Sequence, residues 1–259
     1  MKWRNVLIVL LLGVFLYSSY EIVTYLYDGY QNKSTYDQIR EQFKEKLQQE
    51  EQLVGTDSAL PDNIPDQVNS SGKREAKARY MSLLEINEDV VGWISVPDTV
   101  IDYPVVQAGD NDYYLRRDIH RKGARAGTIF MDYRSDKQGK GKNIILYGHH
   151  MRNGSMFKDL VKYKQEEFFQ ENDYIRFDTL FDEIKWEVFS VYITEADFPY
   201  TQTTFASDEE YLDFLDKIKG RSIFDKDMEL SKEDQILTLS TCTYEYDDAR
   251  FVVHARRVP

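Results

Sequence analysis

Gln235-Ile-Leu-Thr-Leu-Ser-Thr-Cys242, followed by Arg250-Phe-Val-Val-His-Ala-Arg-Arg257, is the stretch on which the reading of this chain turns. Both runs are of strand length and rich in β-branched residues, a composition that fits a pleated sheet. Thr243 to Ala249 between them is short and polar, as a hairpin connection is. Alternation puts Ile236, Thr238, Ser240 and Cys242 on one face, with Leu237, Leu239 and Thr241 on the other. The end of one strand then lies about 5 Å from the start of the next, which brings Cys242 and Arg250 together at one rim.

Working outward, the same kind of segment recurs at Val90–Val96, Thr99–Val106, Thr128–Met131, Asn143–Tyr147, Tyr174–Phe177 and Trp186–Ile193, each bounded by turn-forming residues. With the two above, about eight strands predict a mainly β fold with helical additions, a closed or nearly closed barrel. Three helices are expected around it. Glu75–Ile86 precedes the first strand, and Met156–Phe169 lies in the middle. Ser207–Lys219 opens with Ser207 and Glu210 in capping-box spacing, ends at Gly220, and precedes the cysteine strand.

The N-terminal third has a different composition. Lys2 and Arg4 precede an apolar run from Val6 to Tyr17 that continues more weakly to Tyr27. Val6 to Leu26 reaches roughly 30 Å as a helix, the thickness of the bilayer's hydrocarbon. A cleaved signal peptide is the competing reading of the run, but no small-x-small cleavage site follows it, so an uncleaved anchor is favoured. The positive-inside rule leaves residues 1–5 in the cytoplasm, 6–27 in the membrane and all that follows outside. Ser34–Leu53 carries Tyr36, Ile39, Phe43 and Leu47 at helical spacing and is expected to be a solvated stalk. Gly55–Lys73, with Pro61, Pro65 and Gly72, reads as a flexible linker. The expected organisation is therefore a stalk and linker over 28–73 and a catalytic domain over 74–259.

The 259 residues include 33 Lys and Arg against 45 Asp and Glu, a formal net charge of −12. That argues against nucleic acid as a partner, because neutralising phosphates needs a basic footprint. The single cysteine excludes an intramolecular disulfide and a multi-thiolate zinc site. Cys242 is either a small buried residue or a nucleophile. Beside it Arg250 is either a strand-edge charge paired with Asp247 or Asp248, or a fork that holds an oxygen as it becomes negative. A thiol enzyme also needs a histidine. His149 and His150 follow the apolar strand ending at Gly148, where the glycine permits a sharp bend at a barrel rim. His120 falls in a charged loop, and His254 lies roughly 13 Å along the strand from Arg250 and is expected to be structural.

These residues resemble the sortases, and class B in particular, over Leu83 to Val258. The resemblance is carried by Thr238-Leu-Ser-Thr-Cys242 with Arg250-Phe-Val-Val, and by Tyr147-Gly-His149 with Met151 and Gly154-Ser-Met-Phe157. Gly92-Trp-Ile94, Ile101-Asp-Tyr-Pro-Val-Val-Gln107 and Asp110-Asn-Asp-Tyr-Tyr-Leu115 extend it. It implies an eight-stranded sortase-type barrel and an extracytoplasmic cysteine transpeptidase. Cys242 would be the nucleophile, His149 the catalytic histidine and Arg250 the catalytic arginine. Asn111, Leu115, Tyr147 and Ser240 would be substrate-binding.

The implied substrate is an exported protein with a C-terminal sorting motif, NPxTN- or xPxTG-like. The implied acceptor is a cell-wall amine on a peptidoglycan precursor or cross-bridge. No cofactor or metal is implied, and a monomer is expected. A pilin polymerase using a subunit lysine, or a non-catalytic bitopic scaffold, are the alternatives. The gap from Cys242 to Arg250 is short, and no acidic cluster compels a calcium site.

Overall fold

The alternating stretches become the strands β1 (Val90–Ser95), β2 (Asp102–Val106), β3 (Ile129–Met131), β4 (Asn143–Tyr147), β5 (Tyr174–Thr179), β6 (Lys185–Thr194), β7 (Ile236–Cys242) and β8 (Arg250–Arg257). They close into a barrel in the order β1-β2-β3-β4-β7-β8-β6-β5, with β5 returning to β1. The computed structural model describes residues 2–55, 76–242 and 248–258. Past Gly55, the expected linker lies outside those residues, as does most of the β7–β8 connection. Two pairings are parallel, β2 with β3 and β4 with β7, and the others are antiparallel. The second parallel pair decides the placement of the site, because strands that run the same way end at the same rim.

Burial follows the alternation. Leu237, Leu239, Phe251 and Val253 belong to the main core, with Ile94, Val105, Ile129 and Phe177. Ile236 and Val252 point the other way, into a second core under α4 (Asp208–Gly220) with Phe189, Tyr192, Tyr211, Phe214 and Ile218. Ser207 caps α4 as its spacing predicts, its hydroxyl accepting from the Glu210 amide at 3.2 Å. Gly220 is the last helical residue, not a left-handed terminator; Arg221 caps the helix in right-handed conformation.

The other expected helices are present in shorter and tighter form. Of the expected helix Glu75–Ile86, Glu75 lies outside the described residues and the rest forms a 3₁₀ turn (Ala78–Tyr80) leading into α2 (Met81–Ile86). Met156–Phe169 becomes a 3₁₀ segment, Phe157–Lys164, followed by α3 (Glu166–Glu171).

The N-terminal region departs from expectation. One proline-free helix, α1 (Lys2–Gly55), runs unbroken for 54 residues, about 80 Å. Its first half is apolar and exposed, and it is long and apolar enough to cross a membrane. Its second half is not a solvated stalk. Tyr36, Ile39 and Phe43 are only 2%, 3% and 6% exposed, because this stripe packs on β1, β2 and the turn before α2. Phe43 stacks on Trp93 with ring centroids 4.0 Å apart and planes 4° from parallel. Tyr36 meets Tyr103 edge-on and donates to Thr128 Oγ1 at 2.9 Å. Arg40 and Lys44 both pair with Asp102, whose other oxygen accepts from Trp93 Nε1 at 2.7 Å. Glu50, on the last turns, pairs with the buried Arg79. Burying large side chains of this kind stabilises a fold by about 1.5–3 kcal/mol each, so this half of α1 belongs to the barrel's core.

Candidate active site

Because β4 and β7 are parallel, with Tyr147 beside Ser240, the chain leaving each strand emerges at one rim. The Gly148 amide donates to the Ser240 carbonyl at 3.3 Å and carries the pairing one residue further. β8 begins at that rim, and the antiparallel register sets Cys242 directly opposite Arg250. The predicted juxtaposition is therefore present. Cys242 is exposed, so it is not a core residue.

Arg250 is half-buried, and its Nη1 donates to the backbone carbonyls of Asp248 at 2.9 Å and Ala249 at 3.2 Å. The carboxylate pairing weighed for Asp248 is replaced by a bond to its backbone, and Asp247 lies outside the described residues. These bonds hold one edge of the guanidinium.

His149 is half-buried, and its Nε2 lies 2.7 Å from the Leu115 carbonyl oxygen. A carbonyl only accepts, so Nε2 carries the hydrogen and Nδ1 is the basic nitrogen of the neutral ring. Leu115 thus orients the histidine through its backbone. Gly148 acts differently from expectation. Its φ is not left-handed, but a Cβ there would lie 2.4 Å from Ile129 and 2.7 Å from the Phe157 ring. The close approach is what requires glycine. The loop then folds back so that the Phe157 amide donates to the His149 carbonyl at 3.0 Å. Met156, fully buried, has φ +58°, a strained conformation for a side chain of this kind.

His150 has a separate task. Its Nδ1 is 3.1 Å from the Cys242 carbonyl, and its Nε2 is 2.8 Å from Lys158 Nζ. An ammonium only donates, so Nε2 accepts from Lys158 and Nδ1 donates to Cys242. The adjacent histidines are therefore held in opposite tautomers, and His150 fastens the end of β7. Of the other two, His254 is structural as expected. It is fully buried between Tyr192 Oη at 2.7 Å and Thr238 Oγ1 at 2.9 Å, and burial holds its pKa down at about 3. His120 sits exposed in the charged loop, where the Asp118 amide donates to the Lys122 carbonyl.

A polar wall stands beside the rim. Asn111 Nδ2 and Tyr147 Oη both donate to Asp132 Oδ2, at 3.0 Å each, and Arg134 clasps both oxygens of the same carboxylate. Burial alone would raise the Asp132 carboxyl; the bonds from Arg134 and Asn111 overcome it and hold it below its ordinary value. Burial, with Asp132 beside it, pushes the Tyr147 hydroxyl up.

Ser240 is buried, and its hydroxyl is engaged with Tyr200 Oη at 2.9 Å. Burial raises the Tyr200 pKa. Sequence reasoning does not single out Asp132, Arg134, Tyr200 or Lys158. The one signal available is an aspartate directly after the apolar run ending at Met131.

Comparison with known proteins agrees with this architecture. The Sortase domain profile matches residues 94–258. Over 254 residues the chain is 35% identical to Sortase B of Listeria monocytogenes, covering 97% of this chain and 95% of that protein. Among solved structures, sortase B of Bacillus anthracis in complex with AAEK1 is similar at TM-score 0.73 and 39% identity, covering 89% of this chain and 98% of that one. A Staphylococcus aureus sortase B–substrate complex is similar at TM-score 0.73 and 32% identity, covering 88% of this chain and 96% of that one.

Proposed function

This chain belongs to the sortase family of cysteine transpeptidases, and on that premise we propose that it joins exported proteins to a cell-wall amine through a thioester on Cys242. The observation that carries the assignment is the register that sets exposed Cys242 opposite Arg250, at the rim where His149 leaves the parallel strand β4.

The Cys242 thiolate attacks the carbonyl carbon of the threonine in an NPxTN- or xPxTG-like C-terminal motif. The carbonyl oxygen becomes negative and is held by the free edge of Arg250 and by nearby backbone amides. His149, as imidazolium, gives its proton to the departing amine as the C–N bond breaks, leaving a thioester. An incoming amine on a peptidoglycan precursor or cross-bridge attacks that thioester and loses its proton to His149, and the thiolate leaves. One amide replaces another, so the exchange needs no nucleotide.

Asn111, Leu115, Tyr147 and Ser240 form the wall against which the sorting peptide lies. Asp132 fixes the first and third of these, and Tyr200 braces Ser240 from beneath. Residues 6–27 anchor the protein, with 1–5 in the cytoplasm and the barrel outside. The apolar exposed half of α1, preceded by Lys2 and Arg4, supports that orientation. Tethering enzyme and membrane-held substrates to one surface raises their effective concentration.

Intact mass of the full chain mixed with motif peptides tests the reading. An acyl adduct on the wild-type protein that is lost in Cys242→Ala supports it. A folded, thiol-reactive protein that takes up no acyl group across a broad peptide panel overturns it.

A further inference from the structure

The apolar segment and the barrel overlap along α1. Tyr25 and Asp28 lie on the helix face that meets the barrel: Arg125 stands over the Tyr25 ring at 5.8 Å, and the Arg125 amide donates to Asp28 at 3.2 Å. Glu21, on the same face, pairs with Arg125 Nη2 at 3.4 Å, and Asn153 reaches Gly29. The opposite face of these same turns is apolar and aromatic and fully open: Tyr20, Val23, Leu26, Tyr27 and Tyr30 are each more than half exposed. From Lys33 onward that outward face turns polar, through Asp37 and Glu41. The change of character comes about twelve residues, or about 18 Å, after the barrel first touches the helix at Glu21.

The loop that reaches the helix there is unlike the rest of the protein. Arg116–Arg125 holds Arg116, Arg117, Arg121, Lys122 and Arg125 against one acidic residue, Asp118, in a chain of net charge −12. All five basic side chains are exposed. Arg121 is shared by Glu88 and Asp89, Arg125 is held by Glu21, and Arg117 lies over the Tyr113 ring. Among the described residues no ion pair involves Arg116 or Lys122. A cavity of about 490 Å³ opens on this loop, lined by Asp112, Leu115, Arg116, Arg117 and Gly123.

We propose that the Arg116–Arg125 loop and the outward Tyr20–Tyr30 face of α1 together seat the barrel on the bilayer, the loop binding the headgroups of anionic phospholipids. The inference rests on the membrane-anchored reading of residues 6–27. An aromatic belt belongs at the headgroup level, and a cationic loop pinned to those same turns lies at the same depth. Each basic side chain near an anionic surface contributes roughly a fivefold factor in binding. The cavity between Arg116 and Arg117 admits a phosphate. The active rim is carried close by, since Leu115 both borders the cavity and orients His149.

The test uses the full chain in nanodiscs of phosphatidylcholine alone, or with about a third phosphatidylglycerol, and follows amide hydrogen exchange. Peptides spanning 116–125 are expected to exchange about fivefold or more slowly in the anionic discs, with the barrel strands unchanged. High salt, which screens exposed charge, should remove the protection, as should Arg116→Ser/Arg117→Ser/Lys122→Ser. Equal exchange of this loop in both lipids, from a chain firmly inserted in the discs, overturns the proposal alone. Release of the chain from membranes by alkaline carbonate overturns the anchored reading, and this inference with it.

Discussion

The carbonyl oxygen of Cys242 is hydrogen-bonded by the ring of His150, 3.1 Å away, while the preceding histidine is bonded to Leu115 across the rim. Two neighbouring imidazoles therefore serve opposite ends of the site, one steadying the strand that carries the sulfur and the other left with a free Nδ1.

That division separates the effects of two otherwise similar substitutions. His149→Ala is expected to reduce turnover by about a hundredfold to ten-thousandfold, the range for loss of a general acid and base. His150→Ala is expected to cost about tenfold, because it frees the end of β7 without removing the proposed proton carrier, His149. Steady-state transpeptidation with a motif peptide distinguishes them, and equal losses would contradict this division of labour.

Arg250→Lys keeps the charge but loses the planar guanidinium, whose Nη1 bonds two backbone carbonyls and whose remaining edge is proposed above to hold the oxyanion. Acylation should slow by about a hundredfold to a thousandfold, with thiol alkylation of Cys242 little changed. Burst-phase mass spectrometry reads the first and iodoacetamide trapping the second.

Phe43→Ala removes the ring stacked on Trp93 and leaves a void between α1 and β1. A loss of about 3 kcal/mol is expected in denaturant melts, as for other buried phenylalanines. A change near zero would return this part of α1 to the status of a stalk.

His254 makes stability depend on pH. Its pKa is near 3 in the fold against an ordinary 6.5, so above pH 6.5 it is neutral in both states and its contribution is complete. As the pH falls, the unfolded chain takes up the proton first, and stability declines by up to about 1.4 kcal/mol per pH unit until the folded pKa is reached. Urea melts at stepped pH should show a shallower acid decline in His254→Gln than in the native chain.

Strand positions and the Cys242–Arg250 pairing were legible because both depend on a period of two and on a short connection, which are local properties of sequence. The ring order was not legible, since nothing local says that β4 lies parallel to β7. The histidines could be located at a rim from Gly148 alone, but their separate roles depend on Leu115 and Lys158, distant partners with no pattern of their own. The same is true of Asp132, whose importance comes from three side chains converging on it. The stripe of Tyr36, Ile39 and Phe43 was visible, yet periodicity shows only that a helix has an apolar face and not what covers it. The barrel covers it in this fold.

The absence of any break in α1 between its apolar half and the residues buried by the barrel has a mechanical consequence. In the anchored arrangement proposed above, a supple leash would let the enzyme roam through the wall in search of work. A stiff mast would instead fix the altitude of the thiol, so cargo would have to be delivered to that height while still moored, with reach set by the helix and not by diffusion.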